Sequence, residues 1–278
     1  MTTRSSVPDT CGEAVPALLE RLAAGIPVTA LGVRSARTAE IARLAKATGH
    51  DLVWVDLEHS SMPIDAAVQI CCCAHDLGMV SLVRVPERDY GVIGRLLDGG
   101  TMGIIAPRVE TAAQAADVVA ACRFPPMGHR SAIAQLPTLR YQRIPAATLN
   151  PVCNRNTLVK LLIESAAGIA NLPEIAAVPG VDLIGIGAND LSAELDVPGN
   201  YRHPAMRAAL DVALEVCRRA GKPLAIGGIA DPAHLSELIR QGAVPFMMTG
   251  IDTEMMLGAL QERHGKALSS LSSLSIHP

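Results

Sequence analysis

The chain has 278 residues, of which 49% are hydrophobic and 18% charged, and a formal net charge of −3. That apolar supply excludes a disordered chain. The weak negative charge and 2% aromatic content leave neither a basic footprint nor a stacking platform for nucleic acid.

From the N-terminus, Pro16 to Ala24 has apolar residues at helical spacing, stopped by Gly25. Val28–Val33 is a first strand, followed by a helix over Thr38–Thr48. Leu52–Asp56 is a second strand running into Leu57, Glu58 and His59, and Pro63 opens the next helix, which continues to Asp76. Val80–Val85 is a third strand, stopped by Pro86. A short helix covers Tyr90–Leu97, and Met102–Ala106 is a fourth strand, stopped by Pro107. Thr111–Cys122 is a helix. Phe124 to Thr157 is long and irregular, as expected of a lid, a binding loop or an interface arm. Val159–Ile163 and Val181–Ile186 are the fifth and sixth strands, with the helix Ala166–Ala176 between them. After the helix Pro204–Ala220 come a seventh strand (Pro223–Ile226), a helix (Pro232–Arg240), an eighth strand (Val244–Met248) and a last helix (Thr253–Leu268). Residues 1–10 and 269–278 read as flexible tails.

Strands and helices alternate eight times, which implies a parallel sheet. The strands are almost wholly apolar, as strands covered on both faces are. Eight such units in a single domain over residues 1–278 fit an α/β architecture of the closed (β/α)8 TIM-barrel type. No GxGxxG follows the first strand, which argues against a dinucleotide fold. The N-terminal stretch lacks a signal-peptide core, and no apolar run approaches the ~20 residues that span a bilayer. Seven cysteines, three of them consecutive (Cys71, Cys72, Cys73) and none in a CxxC pair, suit neither a disulfide framework nor a zinc site. They read as reduced thiols of a soluble, cytoplasmic protein with no membrane or nucleic-acid partner.

Chemistry in such a barrel sits at the C-terminal ends of the strands. Those ends carry Asp56, Glu58 and His59, then Arg84, then Glu164, then Gly187, Ala188, Asn189 and Asp190. By strand alternation Lys160, Leu162 and Glu164 share one face, which should be the barrel interior, with Glu164 at the top. Glu164 and Asp190 both follow long apolar runs, where an unpaired charge is costly, and a shared cation is the simplest reason for two acids there. Carboxylates suit Mg²⁺ or Mn²⁺ and would leave positions open for a 2-oxo acid. Arg84 could hold the same carboxylate through its fork of donors. His59 could shuttle protons, oriented by Asp56 or Asp98. Simpler readings stand beside these: Asp190 as a helix N-cap, Asp98 as a helix-end residue, and Lys160 as a structural lysine rather than a Schiff-base former.

The motifs DLVWVDLEHS, LVRVPERD, LLDGGTMGIIAP, RFPPMGHRS, LLIES and GVDLIGIGANDLSAELDVPG occur in this order between Gly49 and Met255. The chain thereby resembles the HpcH/HpaI aldolases, metal-dependent pyruvate aldolases. The resemblance implies Glu164 and Asp190 as ligands of a divalent metal ion (Mg²⁺, Mn²⁺ or Co²⁺). It implies His59, Asp56, Arg84 and Asp98 as catalytic residues, and Arg84, Gly187, Ala188 and Asn189 as substrate-binding positions. It further implies aldol cleavage of a 4-hydroxy-2-oxo acid to pyruvate and an aldehyde through a metal-bound pyruvate enolate. The expected assembly is a homo-oligomer, a hexamer of dimers that exchange their last helix. Oxaloacetate decarboxylation, another enolate carbon–carbon lyase reaction, or a barrel that has lost catalysis are the alternatives. Three positions depart from the family pattern: Leu57 and Ser131 where glycine is usual, and Leu162 where glutamine is usual. Leu57 and Leu162 are the argument for impairment.

Overall fold

The computed structural model describes residues 13–133 and 135–272. Eight strands form one parallel sheet: β1 (Val28–Val33), β2 (Leu52–Asp56), β3 (Val80–Arg84), β4 (Gly103–Ala106), β5 (Leu158–Ile163), β6 (Leu183–Gly187), β7 (Leu224–Gly227) and β8 (Phe246–Ile251). Neighbours follow chain order from β1 to β7, and β8 pairs with β1. At the remaining seam the Val244 N–H donates to the Leu224 carbonyl at 2.8 Å, so the barrel is nearly closed.

Side-chain alternation sorts the strand residues into two cores. Val53, Val55, Val83, Val159, Leu161, Ile163 and Ile184 face outward and pack against the helices. Leu52, Trp54, Leu82, Ile105, Leu158, Leu183, Ala225 and Phe246 fill the barrel interior. Lys160 points into that interior, with Nζ 4.3 Å from the centroid of the Phe246 ring. Burial, helped by the charge of Arg84, pushes its pKa down to about 8. Trp54 fills the middle of the barrel because Gly32 opposite it has no Cβ; one there would lie 2.8 Å from the indole ring.

Several elements differ from the sequence expectation. The irregular segment contains a 10-residue helix, Ala146–Arg155, with Pro151 inside it. Its Leu149 joins Leu136, Leu139 and Ile144 in a small separate core, and the Asn154 side chain bonds both the N–H and the carbonyl of Phe124. Tertiary anchoring thus overrides the proline signal. The helix expected over Ala166–Ala176 breaks at Asn171 into Ala166–Ala170 and Leu172–Ala176, the second opened by Pro173. β8 runs three residues later than expected, to Ile251, with an irregularity opposite Ala30 and Leu31. The last helix, Asp252–Ser272, takes in Ser269 to Ser272, which had read as tail. Residues 1–10, Cys11 and residues 273–278 lie outside the described residues. No helix among the described residues is long and apolar enough to cross a membrane.

Candidate active site

β2 and β3 run side by side with Asp56 paired to Arg84 at their C-terminal ends. Asp56 is fully buried. Its Oδ1 accepts from Arg84 Nε at 3.0 Å, and its Oδ2 accepts from Arg84 Nη2 at 2.8 Å. The backbone N–H groups of Glu58 and His59 also donate to Oδ1, at 3.1 and 3.2 Å, and Arg34 Nε donates to Oδ2 at 3.1 Å. Burial would raise the Asp56 pKa, but the bonds and charge of Arg84, the His59 N–H and Arg34 outweigh it. The carboxyl stays below its ordinary range. It is therefore an ionised anchor that fixes both Arg84 and the turn carrying His59.

Arg84 also reaches Glu58, Nη1 to Oε2 at 3.2 Å, and its guanidinium carbon lies 5.2 Å from the Trp54 ring centroid. The His59 ring is exposed, and its carboxylate neighbour is Glu58, with Nε2 3.7 Å from Oε2. Asp56 meets His59 through the backbone N–H only. Asp98 sits at the end of the helix Ile93–Asp98 and pairs with Arg130 at 2.8 Å. Arg130 in turn stacks on Phe124. Among the described residues the acid against the His59 ring is Glu58, not Asp56 or Asp98.

Glu164 follows β5 and is buried, with Oε1 accepting the Arg108 N–H at 2.8 Å. Arg108 adopts φ 48 to make that bond, and its side chain pairs with Glu194. A Cβ on Gly187, the last residue of β6, would collide with Glu164 Oε2, so only glycine lets the carboxylate lie against that strand. Gly187 caps the helix Ala188–Glu194, placing Asp190 in its first turn rather than at the N-cap. Ala188 is buried in the outer core, and Asn189 accepts a bond from the Tyr201 hydroxyl.

Burial pushes the Glu164 pKa up to about 7; the Arg108 N–H opposes this, and the charges of Asp190 and Glu58 add to it. Glu58 is likewise raised, by burial first and then, against Arg84, by Asp56, Asp190 and Glu87. The mouth thus carries more carboxylate than its guanidiniums compensate on the β5–β6 side. Such oxygen donors suit a hard divalent cation. Among the described residues no three or more His, Cys, Asp or Glu side chains gather as a complete ligand set.

The two departures that argued for impairment have packing explanations. Leu57 sits against the outer core, and Leu162 packs into the barrel interior beside Gly185. Arg34, at the end of β1, was not singled out by its sequence context, because its partner Asp56 lies 22 residues away on another strand.

The family described as HpcH/HpaI aldolase/citrate lyase matches residues 33–259. The chain is 36% identical to the 4-hydroxy-4-methyl-2-oxoglutarate aldolase of Chaetomium globosum, covering 86% of this chain and 90% of that protein. It is also 36% identical to the enzyme of the same description from Hapsidospora irregularis, over 88% of this chain and 92% of that one. Among solved structures, an HpcH/HpaI aldolase from Desulfitobacterium hafniense superposes with a TM-score of 0.82 at 26% identity, over 94% of this chain and 99% of that chain. The chain is a carbon–carbon lyase that belongs to the HpcH/HpaI aldolase/citrate lyase family.

Proposed function

We propose that the site cleaves a 4-hydroxy-2-oxo acid to pyruvate and a carbonyl product, and that it forms the same bond in reverse. The observation that carries this reading is the undercompensated carboxylate pair, Glu164 and Asp190, across the mouth from the Arg84–Asp56 pair. Glu164 and Asp190 fit a divalent cation such as Mg²⁺, Mn²⁺ or Co²⁺: both are oxygen donors, they repel one another, and Gly187 leaves room for the Glu164 carboxylate. Bound there, the ion would supply Lewis-acid stabilisation to negative charge that develops on the oxo acid.

The residues of the chain do the rest. Arg84, fixed by Asp56 and desolvated over Trp54, is oriented to donate to the oxo-acid end and to stabilise negative charge as it develops on the 2-oxo oxygen. His59 accepts the proton of the 4-hydroxyl. The C3–C4 bond then breaks, its electron pair moves toward C2 to give the enolate of pyruvate, and C4 becomes the product carbonyl. Return of a proton to C3 completes pyruvate. Glu58 Oε2, 3.7 Å from His59 Nε2, is the side-chain group that orients the ring.

The two relatives that are 36% identical are named for a branched, acidic 4-hydroxy-2-oxo acid, 4-hydroxy-4-methyl-2-oxoglutarate, which is the substrate favoured here. The last helix supports an oligomer: Met255, Met256, Leu257 and Leu260 are all exposed on it. A hexamer of dimers in the cytoplasm accords with the family expectation. The test is release of pyruvate from 4-hydroxy-4-methyl-2-oxoglutarate, with and without a chelator. Cleavage that disappears in EDTA and returns with Mg²⁺ or Mn²⁺ supports the reading, whereas chelator-insensitive cleavage contradicts the cation's part in it.

A further inference from the structure

Arg34 is a cation at the mouth that the proposed chemistry does not use. It follows β1 directly, and its turn is clamped from two sides. The N–H groups of Arg34, Ser35 and Ala36 donate to the Asp252 carboxylate at 3.0, 3.0 and 2.7 Å. Arg37 Nη1 donates to the carbonyls of Arg34 and Ser35 at 2.8 and 2.6 Å. On the side chain only Nε is engaged, by Asp56 Oδ2; among the described residues neither Nη atom has an acceptor. The side chain is 31% exposed, so this free edge of the fork is open to a ligand.

The ring order of the strands gives that free edge a direction. Glu164 follows β5, Arg84 ends β3, Asp56 ends β2 and Arg34 follows β1, in that sequence around the barrel. With the oxo-acid end between Glu164 and Arg84 and the 4-hydroxyl at His59, just after β2, the acceptor half of the substrate continues toward β1 and Arg34. Asp56 is one carboxylate shared by two guanidiniums, and Arg84 alone has Glu58 as a second counter-charge. Among the described residues the Arg34 guanidinium has Asp56 as its one ion-pair partner, and its two Nη donors match the two oxygens of a carboxylate.

We propose that Arg34 binds a carboxylate carried by the acceptor half of the substrate and so selects acidic carbonyl acceptors over neutral ones. The proposal rests on the pyruvate-aldolase reading. The carboxylate belongs either to a 2-oxo acid, adjacent to the reacting carbonyl, or to a semialdehyde, at the far end of the chain.

The experiment is condensation of pyruvate with glyoxylate, succinic semialdehyde or acetaldehyde, using the full chain and its Arg34→Gln and Arg34→Lys variants. Wild type is expected to favour one acidic acceptor, and the preferred one identifies where the carboxylate lies. Arg34→Gln is expected to lower kcat/KM for that acceptor roughly 10- to 100-fold more than for acetaldehyde, mainly through KM, the scale of a lost charge-assisted hydrogen bond. Arg34→Lys is expected to recover part of the difference. Taking the ratio between acceptors cancels any general damage to the fold. Equal use of all three acceptors by wild type, or a uniform loss in Arg34→Gln, overturns the role of Arg34 and leaves the pyruvate chemistry standing. A wild type inert toward pyruvate with every acceptor overturns the aldolase reading, and the proposal with it.

Discussion

Arg84 holds Asp56 edge-on, with Nε 3.0 Å from Oδ1 and Nη2 2.8 Å from Oδ2, at the paired ends of β2 and β3. Both groups are largely withdrawn from solvent, Asp56 fully and Arg84 to 13% side-chain exposure. A two-pronged pair of this kind fixes orientation as well as charge. It leaves Nη1 to meet Glu58 at 3.2 Å and, through the backbone of Glu58 and His59, sets the loop that bears the proposed base.

Removing one partner should therefore cost more than the pair contributes. Asp56→Ala leaves Arg84 largely buried without its two-pronged partner, with Glu58 as its one remaining ion pair among the described residues, and the expected loss is about 3 kcal/mol. For a chain of this size that is roughly a 6–12 °C fall in Tm, measured by calorimetry. Arg84→Lys keeps the charge but loses the fork. It should lower kcat/KM for aldol cleavage about a hundredfold, the scale of one lost preorganised donor, with a smaller change in Tm.

Glu164 gives a pH dependence with a definite sign. Its folded pKa, about 7, lies above the ordinary value of 4.5, so the folded metal-free protein favours the neutral form. The group's contribution to stability is complete below about pH 4.5 and is lost as pH rises through about 7. In EDTA, Glu164→Gln should gain in Tm relative to wild type as pH increases from 5 to 8. Mg²⁺ should shrink or reverse that gap by stabilising wild type alone. Cation affinity, read by calorimetric titration, should strengthen across the same interval because the carboxyl must ionise to bind.

Gly187 tests the same corner without touching a charge. A Cβ there collides with Glu164 Oε2, so Gly187→Ala must displace the carboxylate. The expected outcome is a loss of cation affinity of at least about tenfold. The φ of −88 at Gly187 is open to alanine, so backbone strain does not account for such a loss.

The last helix makes a prediction about assembly. From Glu254 to Ser270 every residue is exposed, including Met255, Met256, Leu257, Leu260 and Leu268. Such a helix is costly in water unless its apolar residues are covered. Light scattering after size exclusion should show an oligomer, and the double variant Leu257→Glu, Leu260→Glu should shift it to a smaller species.

Much of this architecture is legible in the sequence because strand ends and strand parity are local features. The pattern Lys160, Leu162, Glu164 places three side chains inward, and the structure finds Lys160 over Phe246, Leu162 in the interior core and Glu164 buried above them. What escaped reading depends on contacts far apart in the chain. The helix Ala146–Arg155 forms despite Pro151 because Asn154 and Leu149 are held by residues tens of positions away or in a separate small core. Asp190 has the residue type of an N-cap, yet Gly187 takes that place because β6 ends directly into the helix. Arg34 follows an ordinary apolar strand, and only the folded barrel brings it to Asp56.

Glu164, Asp190 and Arg84 should together stabilise the enolate of pyruvate. Enolate formation can be followed without an acceptor, as exchange of the pyruvate methyl protons with D₂O by NMR, with Mg²⁺ or Mn²⁺ and again in EDTA. Exchange is expected to require the cation and to be abolished by Glu164→Ala. Absence of exchange with every divalent ion, or exchange that persists unchanged in Glu164→Ala, would contradict enolate stabilisation by these residues.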